Sequence, residues 1–252
     1  MTSTIVLLHA FPLNKSLWDG VTGPVAEAGW DVVVPDLRGF GESSFGGEDL
    51  DDEPDLAWMA RDVLEILDRI GVEQAVIAGS SMGGYVAMEL FRQAPQRVSG
   101  LVLIDTKATA DTDEARANRL RVADQVESAG STEALSRAML PNLVGVTTHD
   151  TRADVVEQVR TWILEADPYG VAWAQRAMAA RPDSHATLAN VSVPALVLWG
   201  SEDAISPRPE QDSMVAALPR SRAVEIPGCG HLAPIESPDA VSAALVEFLA
   251  SI

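Results

Sequence analysis

The chain of 252 residues holds a single cysteine, Cys229, which excludes an internal disulfide and any metal cage built from several thiolates. Histidine is scarce as well: His9, His149, His185 and His231 show no ligand-like spacing, so neither a bound metal nor another cofactor is expected. Basic residues number only 18 against 37 acidic ones, a formal charge of −19, and a field of that sign repels nucleic acid and anionic membranes. No nucleic-acid or membrane partner is therefore expected. No apolar run approaches the ~20 residues of a membrane span, and Met1 to Thr4 lack the basic start of a secretory signal, so the expected location is cytoplasmic. Internal repeats and low-complexity tracts are absent. The acidic run Glu48 to Asp55 lacks the ligand spacing and central glycine of a calcium loop; it reads as a solvated loop leading into a helix near Pro54.

What is present is an ordinary globular composition, 47% hydrophobic and 22% charged, long enough for one α/β domain with an insertion. Apolar strand-like runs recur at Ile5 to Leu8, Asp31 to Val34, Ala75 to Ala78, Leu101 to Ile104, Ala195 to Trp199 and Ala223 to Ile226, separated by helical patterns. That alternation predicts a mostly parallel sheet of about six strands with helices on both faces. The rhythm stops between Thr106 and Asn190, where only helical patterns appear, at 113–129, 132–140, 153–165 and 169–180. Such a stretch is far longer than a sheet connection needs. We read residues 107–189 as a helical cap on a core formed by 1–106 and 190–252.

The run Gly79, Ser80, Ser81, Met82, Gly83, Gly84 joins the third strand-like run to a helix-like one. The bare Gly-x-Ser-x-Gly pattern arises by composition in roughly one chain in ten of this length, so its weight comes from context. A serine between a strand's carboxyl end and a helix's amino end stands on a tight turn beside unpaired N–H groups. Ser81 has a glycine two positions on either side, whereas Ser80 is followed at that distance by Met82, so Ser81 is the candidate nucleophile. A serine hydroxyl needs a base and an acid that orients the base. His231, in Gly228-Cys229-Gly230-His231 after the last strand-like run, and Asp203, in Gly200-Ser201-Glu202-Asp203 after the fifth, supply them in the order Ser, Asp, His. Asp105, after the fourth run, is the rival acid. Cys229 reads as a small packed residue.

With those residues in view the chain resembles the α/β-hydrolase superfamily over essentially its whole length. The matching pieces are His9-Ala10-Phe11-Pro12, the segment Asp36 to Ser43, the Ser81 turn, Gly200 to Asp203 and Gly230-His231. Within it, the elbow and helical insertion are similar to small carboxylesterases, 3-oxoadipate enol-lactonases and cofactor-free haloperoxidases. The resemblance implies an oxyanion hole from the backbone N–H groups of Phe11 and Met82. It also implies a sheet short at the edge where many relatives carry a preceding hairpin, and Ala10 departs from the His-Gly usual before the oxyanion residue. His9 is expected to support the oxyanion loop, and Asp36 and Arg38 to brace theirs. The expected function is a serine hydrolase of small carboxylic esters acting through an acyl-enzyme. The alternatives are an enol-lactonase-type lactone hydrolase, a cofactor-free perhydrolase or haloperoxidase, and a non-catalytic ligand receptor on the same fold. The expected partner is a small ester or lactone; the oligomeric state is left open.

Overall fold

The computed structural model describes residues 3–43, 45 and 53–252; Glu48 to Asp52 of the acidic run lie outside them. Runs rich in Ile, Val, Leu and Ala form the strands, which are buried on both faces at the centre of the sheet and partly exposed at its two edges. These are β1 (Thr4–Leu8), β2 (Asp31–Val33), β3 (Ala75–Ser80), β4 (Val98–Ile104), β5 (Ala195–Gly200) and β6 (Ser221–Ile226). They form one six-stranded sheet in the order β2-β1-β3-β4-β5-β6, with every pairing parallel. All carboxyl ends therefore share one rim, and Ser81, Asp105 and Asp203 each follow a strand directly on that rim.

Helices cover both faces. α1 (Asp19–Glu27) packs on α12 (Pro238–Leu249), the helix that closes the described chain, while α2 (Leu56–Arg69) packs on α3 (Met82–Gln93). α2 starts beside Pro54, where the Asp55 carboxylate accepts the Ala57 N–H at 2.9 Å, the usual way an acidic residue satisfies an orphan donor at a helix start.

Between β4 and β5 the described residues contain helices and no strand. They are α4 (Asp113–Ala129), α5 (Glu133–Leu143), α6 (Val146–Thr151), α7 (Ala153–Glu165), α8 (Pro168–Ala180) and α9 (His185–Leu188). α4 is capped by Thr112 and ends on Gly130 at φ 58°, a left-handed exit that suits glycine. α8 opens with Asp167 as cap and Pro168 in its first turn, where a missing N–H costs nothing. α4 lies on α8 and α5 on α7, and α8 also touches α2. After β5 come α10 (Arg208–Ala217), β6 and the short α11 (Ala233–Glu236). Among the described residues no helix is long and apolar enough to cross a membrane.

Candidate active site

The turn between β3 and α3 is built by close backbone approach. A Cβ at Gly79 would run into the carbonyl of Gly83, and one at Gly83 into the carbonyls of Leu8 and His9. Only glycine lets strand, helix and the end of β1 meet there. Ser81 adopts φ 52° and ψ −111°, a conformation that costs a non-glycine residue roughly 1–3 kcal/mol and persists only where the surroundings impose it. The surroundings do so on both sides of the residue: the Ser81 N–H donates to the Ile104 carbonyl at 2.9 Å, and the Thr106 hydroxyl donates to the Ser81 carbonyl at 2.8 Å. Ser80, by contrast, is fully buried at the end of β3 with no hydrogen-bond partner for its hydroxyl among the described residues.

Three groups distant in sequence converge. His231 Nε2 lies 2.7 Å from Ser81 Oγ, and His231 Nδ1 lies 3.0 and 2.9 Å from the two oxygens of Asp203. With the Nδ1–H donating to the carboxylate, Nε2 carries the lone pair that faces the serine hydroxyl. The Asp203 carboxylate is itself held by the N–H groups of Ile205 and Ser206 at 2.8 and 3.0 Å and by the Ser206 hydroxyl at 3.1 Å. Ser206 Oγ also stands 3.2 Å from His231 Nδ1. Burial alone would lower the His231 pKa and raise that of Asp203. Their mutual attraction and hydrogen bonds outweigh burial, so the imidazole is raised above its ordinary 6.5 and the carboxyl lowered below its ordinary 3.8.

Asp105 reaches the same rim and takes no part in the contact with the imidazole ring. Its two oxygens accept the N–H groups of Gly200 at 2.8 Å and Ala233 at 3.0 Å, fastening the ends of β4 and β5 to the segment after His231. Burial and the neighbouring Asp203 charge push its carboxyl up to about 8, against those two bonds.

The two residues expected to supply the oxyanion hole lie at the start of α3 and in the loop after β1. Met82 opens α3, where a first-turn N–H has no intrahelical acceptor. Phe11 lies in the loop after β1, its ring edge-on to Phe40. His9 fixes that loop: Nδ1–H donates to the Ala10 carbonyl at 3.0 Å and Nε2 accepts the Leu37 N–H at 2.9 Å. Burial lowers its pKa to about 4, so it is a neutral strut. Asp36 accepts the N–H groups of Lys15 and Glu42 at 2.7 and 2.9 Å, and Arg38 forks onto Asp62 at 2.8 Å through two nitrogens. Both brace their loops. Burial pushes the Cys229 thiol up to about 12, which leaves no thiolate to act as a nucleophile. Two residues carried no signal in the sequence: Ser206, an unremarked loop serine, and Glu236, a buried carboxylate beside the histidine loop.

A family model described as alpha/beta hydrolase fold matches residues 3–238. Among solved structures, a thermophilic esterase from Thermogutta terrifontis with malate bound is 39% identical, with 99% of this chain and 90% of that one covered and a TM-score of 0.92. The enol-lactonase from Burkholderia xenovorans LB400 is 25% identical, with 99% and 92% covered and a TM-score of 0.88. A curated relative, the pimeloyl-[acyl-carrier protein] methyl ester esterase of Nitrosomonas europaea, is 30% identical over 247 residues, 93% of this chain and 91% of its own length.

Proposed function

The chain belongs to the alpha/beta hydrolase fold family, and from that premise we propose that it is a serine hydrolase of small, neutral carboxylic esters working by two-step acyl transfer. The observation that carries this reading is the relay Ser81 Oγ to His231 Nε2 at 2.7 Å and His231 Nδ1 to Asp203 at 2.9 Å. Ser81 Oγ bonds to the ester carbonyl carbon as its proton passes to His231 Nε2, and the carbonyl electron pair moves onto oxygen. The N–H groups of Met82 and Phe11 receive that oxyanion; removing one such donor typically costs ~3–4 kcal/mol of barrier. The imidazolium, steadied by Asp203, then protonates the departing alkoxide as the carbon–oxygen bond breaks. Water, deprotonated by His231, attacks the acyl-enzyme and frees the acid and Ser81.

Residues 107–189 act in this reading as a cap over the strand ends. Two contacts support it: the Leu143 carbonyl accepts the His231 N–H at 3.1 Å, and a Cβ at Gly170 would run into the backbone of Gly39. The preference for neutral esters rests on the arginines of this stretch. Six of its nine basic residues, namely Arg119, Arg137, Arg152, Arg160, Arg176 and Arg181, are paired with carboxylates. A substrate carboxylate that used one of these six would have to displace its partner. Lactone hydrolysis is the second reading, favoured by the enol-lactonase likeness, and it uses the same groups.

The test is hydrolysis of p-nitrophenyl butyrate together with fluorophosphonate labelling. Ser81→Ala is expected to abolish both, and Ser80→Ala to keep labelling. Labelling that survives Ser81→Ala removes the nucleophile, and a wild-type protein that neither hydrolyses nor labels supports a receptor instead.

A further inference from the structure

Glu236, at the end of the short α11, is only 6% exposed, yet none of the groups it bonds is basic. Its Oε2 accepts the Gly145 N–H at 2.8 Å and the Thr148 hydroxyl at 2.6 Å. The Gly230 N–H lies 3.0 Å from both oxygens and the Leu232 N–H 3.0 Å from Oε1. Three of the four are backbone N–H groups, which can only donate, so the carboxyl oxygens serve as their acceptors. Two belong to the residues on either side of His231, and two to the stretch that follows α5. The backbones of these segments already touch, since a Cβ at Gly230 would run into the Gly145 N–H and one at Gly145 would lie 2.8 Å from the Gly230 nitrogen. The N–H groups that converge at such a junction need an internal acceptor, because buried donors left unmet are costly.

We propose that Glu236 is the positioning residue of the histidine: it locks the loop 230–232 and the segment 145–148 into one body, and so sets His231 Nε2 against Ser81 Oγ. It does not touch the reacting atoms. The role rests on the serine-hydrolase reading for its kinetic consequences, and on the hydrogen bonds alone for the placement of the ring. The titratable groups that face the imidazole are Asp203 after β5, Asp105 after β4 and Glu236 from α11, with the Ser81 and Ser206 hydroxyls at its two nitrogens.

Glu236→Gln keeps the shape, removes the charge and turns an amide N–H toward other donors. For p-nitrophenyl acetate, kcat is expected to fall by ~10–100-fold with KM within about threefold, the signature of a displaced group rather than weakened binding. In an imidazole NMR titration the His231 pKa is expected to fall, because a facing negative charge is gone. The lost charge moves that titration by itself, so the kcat-against-KM split carries the distinction: a purely structural role would lower thermal stability and leave kcat of the folded protein in place. A folded Glu236→Gln protein with kcat within about twofold of wild type overturns the proposal, whatever its His231 titration. Thr148→Val is the second variant, since it deletes one donor and keeps the charge: kcat is expected to fall by a smaller factor with the titration unchanged. Should Glu236→Gln not fold, a Thr148→Val protein with wild-type kcat overturns the proposal by itself. Failure of the wild type to hydrolyse or label overturns the hydrolase reading instead, and the His231 ring chemical shifts of Thr148→Val, which keeps the charge, still decide whether this lock places the ring: shifts identical to wild type overturn the placement.

Discussion

The carboxyl rim of the sheet and the helical stretch 107–189 handle charge in opposite ways. On the rim, Asp105, Asp203, His231 and Glu236 are all buried, and each is held by groups that arrive from other elements or other loops. In the helical stretch, pairs such as Arg160 with Glu157 and Arg137 with Glu133 join neighbours three or four residues apart on exposed helix faces. The first arrangement fixes one geometry in a low-dielectric setting; the second only neutralises charge in water. The Asp111 cluster is the exception inside the helical stretch. Asp111 is half-buried, but its side chain is only 2% exposed, held between Arg119 at 2.5 Å and Arg181 at 2.9 Å, and the Arg181 guanidinium also covers the Tyr85 ring at 4.2 Å. It behaves as a piece of the rim's chemistry used for architecture.

The sharpest way to break this contrast is within the rim itself, between its two strand-end aspartates. Asp203→Asn is expected to lower kcat by about 10⁴, or ~5.4 kcal/mol of barrier, as triads lose the correct imidazole tautomer. Asp105→Asn, whose target bonds only backbone N–H groups, should have a much smaller effect, and steady-state kinetics showing the reverse order would transfer the acid's role to Asp105.

Next in size is the buried exception. Arg181→Ala leaves Asp111 with one partner and is expected to cost about 3 kcal/mol of stability, read as a Tm lower by roughly 6–12 °C for a chain of this size. Arg160→Ala, on an exposed helix face, should leave Tm unchanged, and equal losses in the two variants would erase the distinction between regions.

A pH profile refines the comparison further. In the proposed mechanism a neutral His231 accepts the serine proton, and Asp203 raises the imidazole above 6.5, so kcat/KM for a neutral ester should fall as pH drops through a value above that of free imidazole. A rate flat to about pH 4.5 in folded protein would point away from histidine as the base.

The sheet was legible in the sequence because parallel strands buried on both faces leave unbroken apolar runs; even β6, an edge strand with exposed Arg222, Ala223 and Glu225, keeps enough of the pattern. Boundaries were less legible. The pattern expects a helix to end at Leu140 before Pro141, yet α5 continues to Leu143, since a proline in the last turn removes only one hydrogen bond. Residues 146–151, Val-Thr-Thr-His-Asp-Thr, have no apolar stripe; α6 is anchored instead by Glu202 and Glu236 from far along the chain. Ser81, Asp203 and His231 could be singled out because strand ends and glycines announce them. Ser206 and Glu236 could not, because their meaning depends on partners as far as 25 and 91 residues away, respectively.

The meeting of Gly145, Gly200 and Gly230 bears on how such chains can be recombined. A Cβ at Gly200 would run into the carbonyls of Cys229 and Gly230, just as one at Gly230 would run into Gly145, so three stretches of main chain are fitted to one another with no side chain to absorb a mismatch. A chimaera that borrows residues 107–189 from a relative imports a foreign 143–148 against the host's own 228–236. The workable crossover carries both stretches from the same parent, and with them the loop around Gly39, since a Cβ at Gly170 of α8 would run into its backbone.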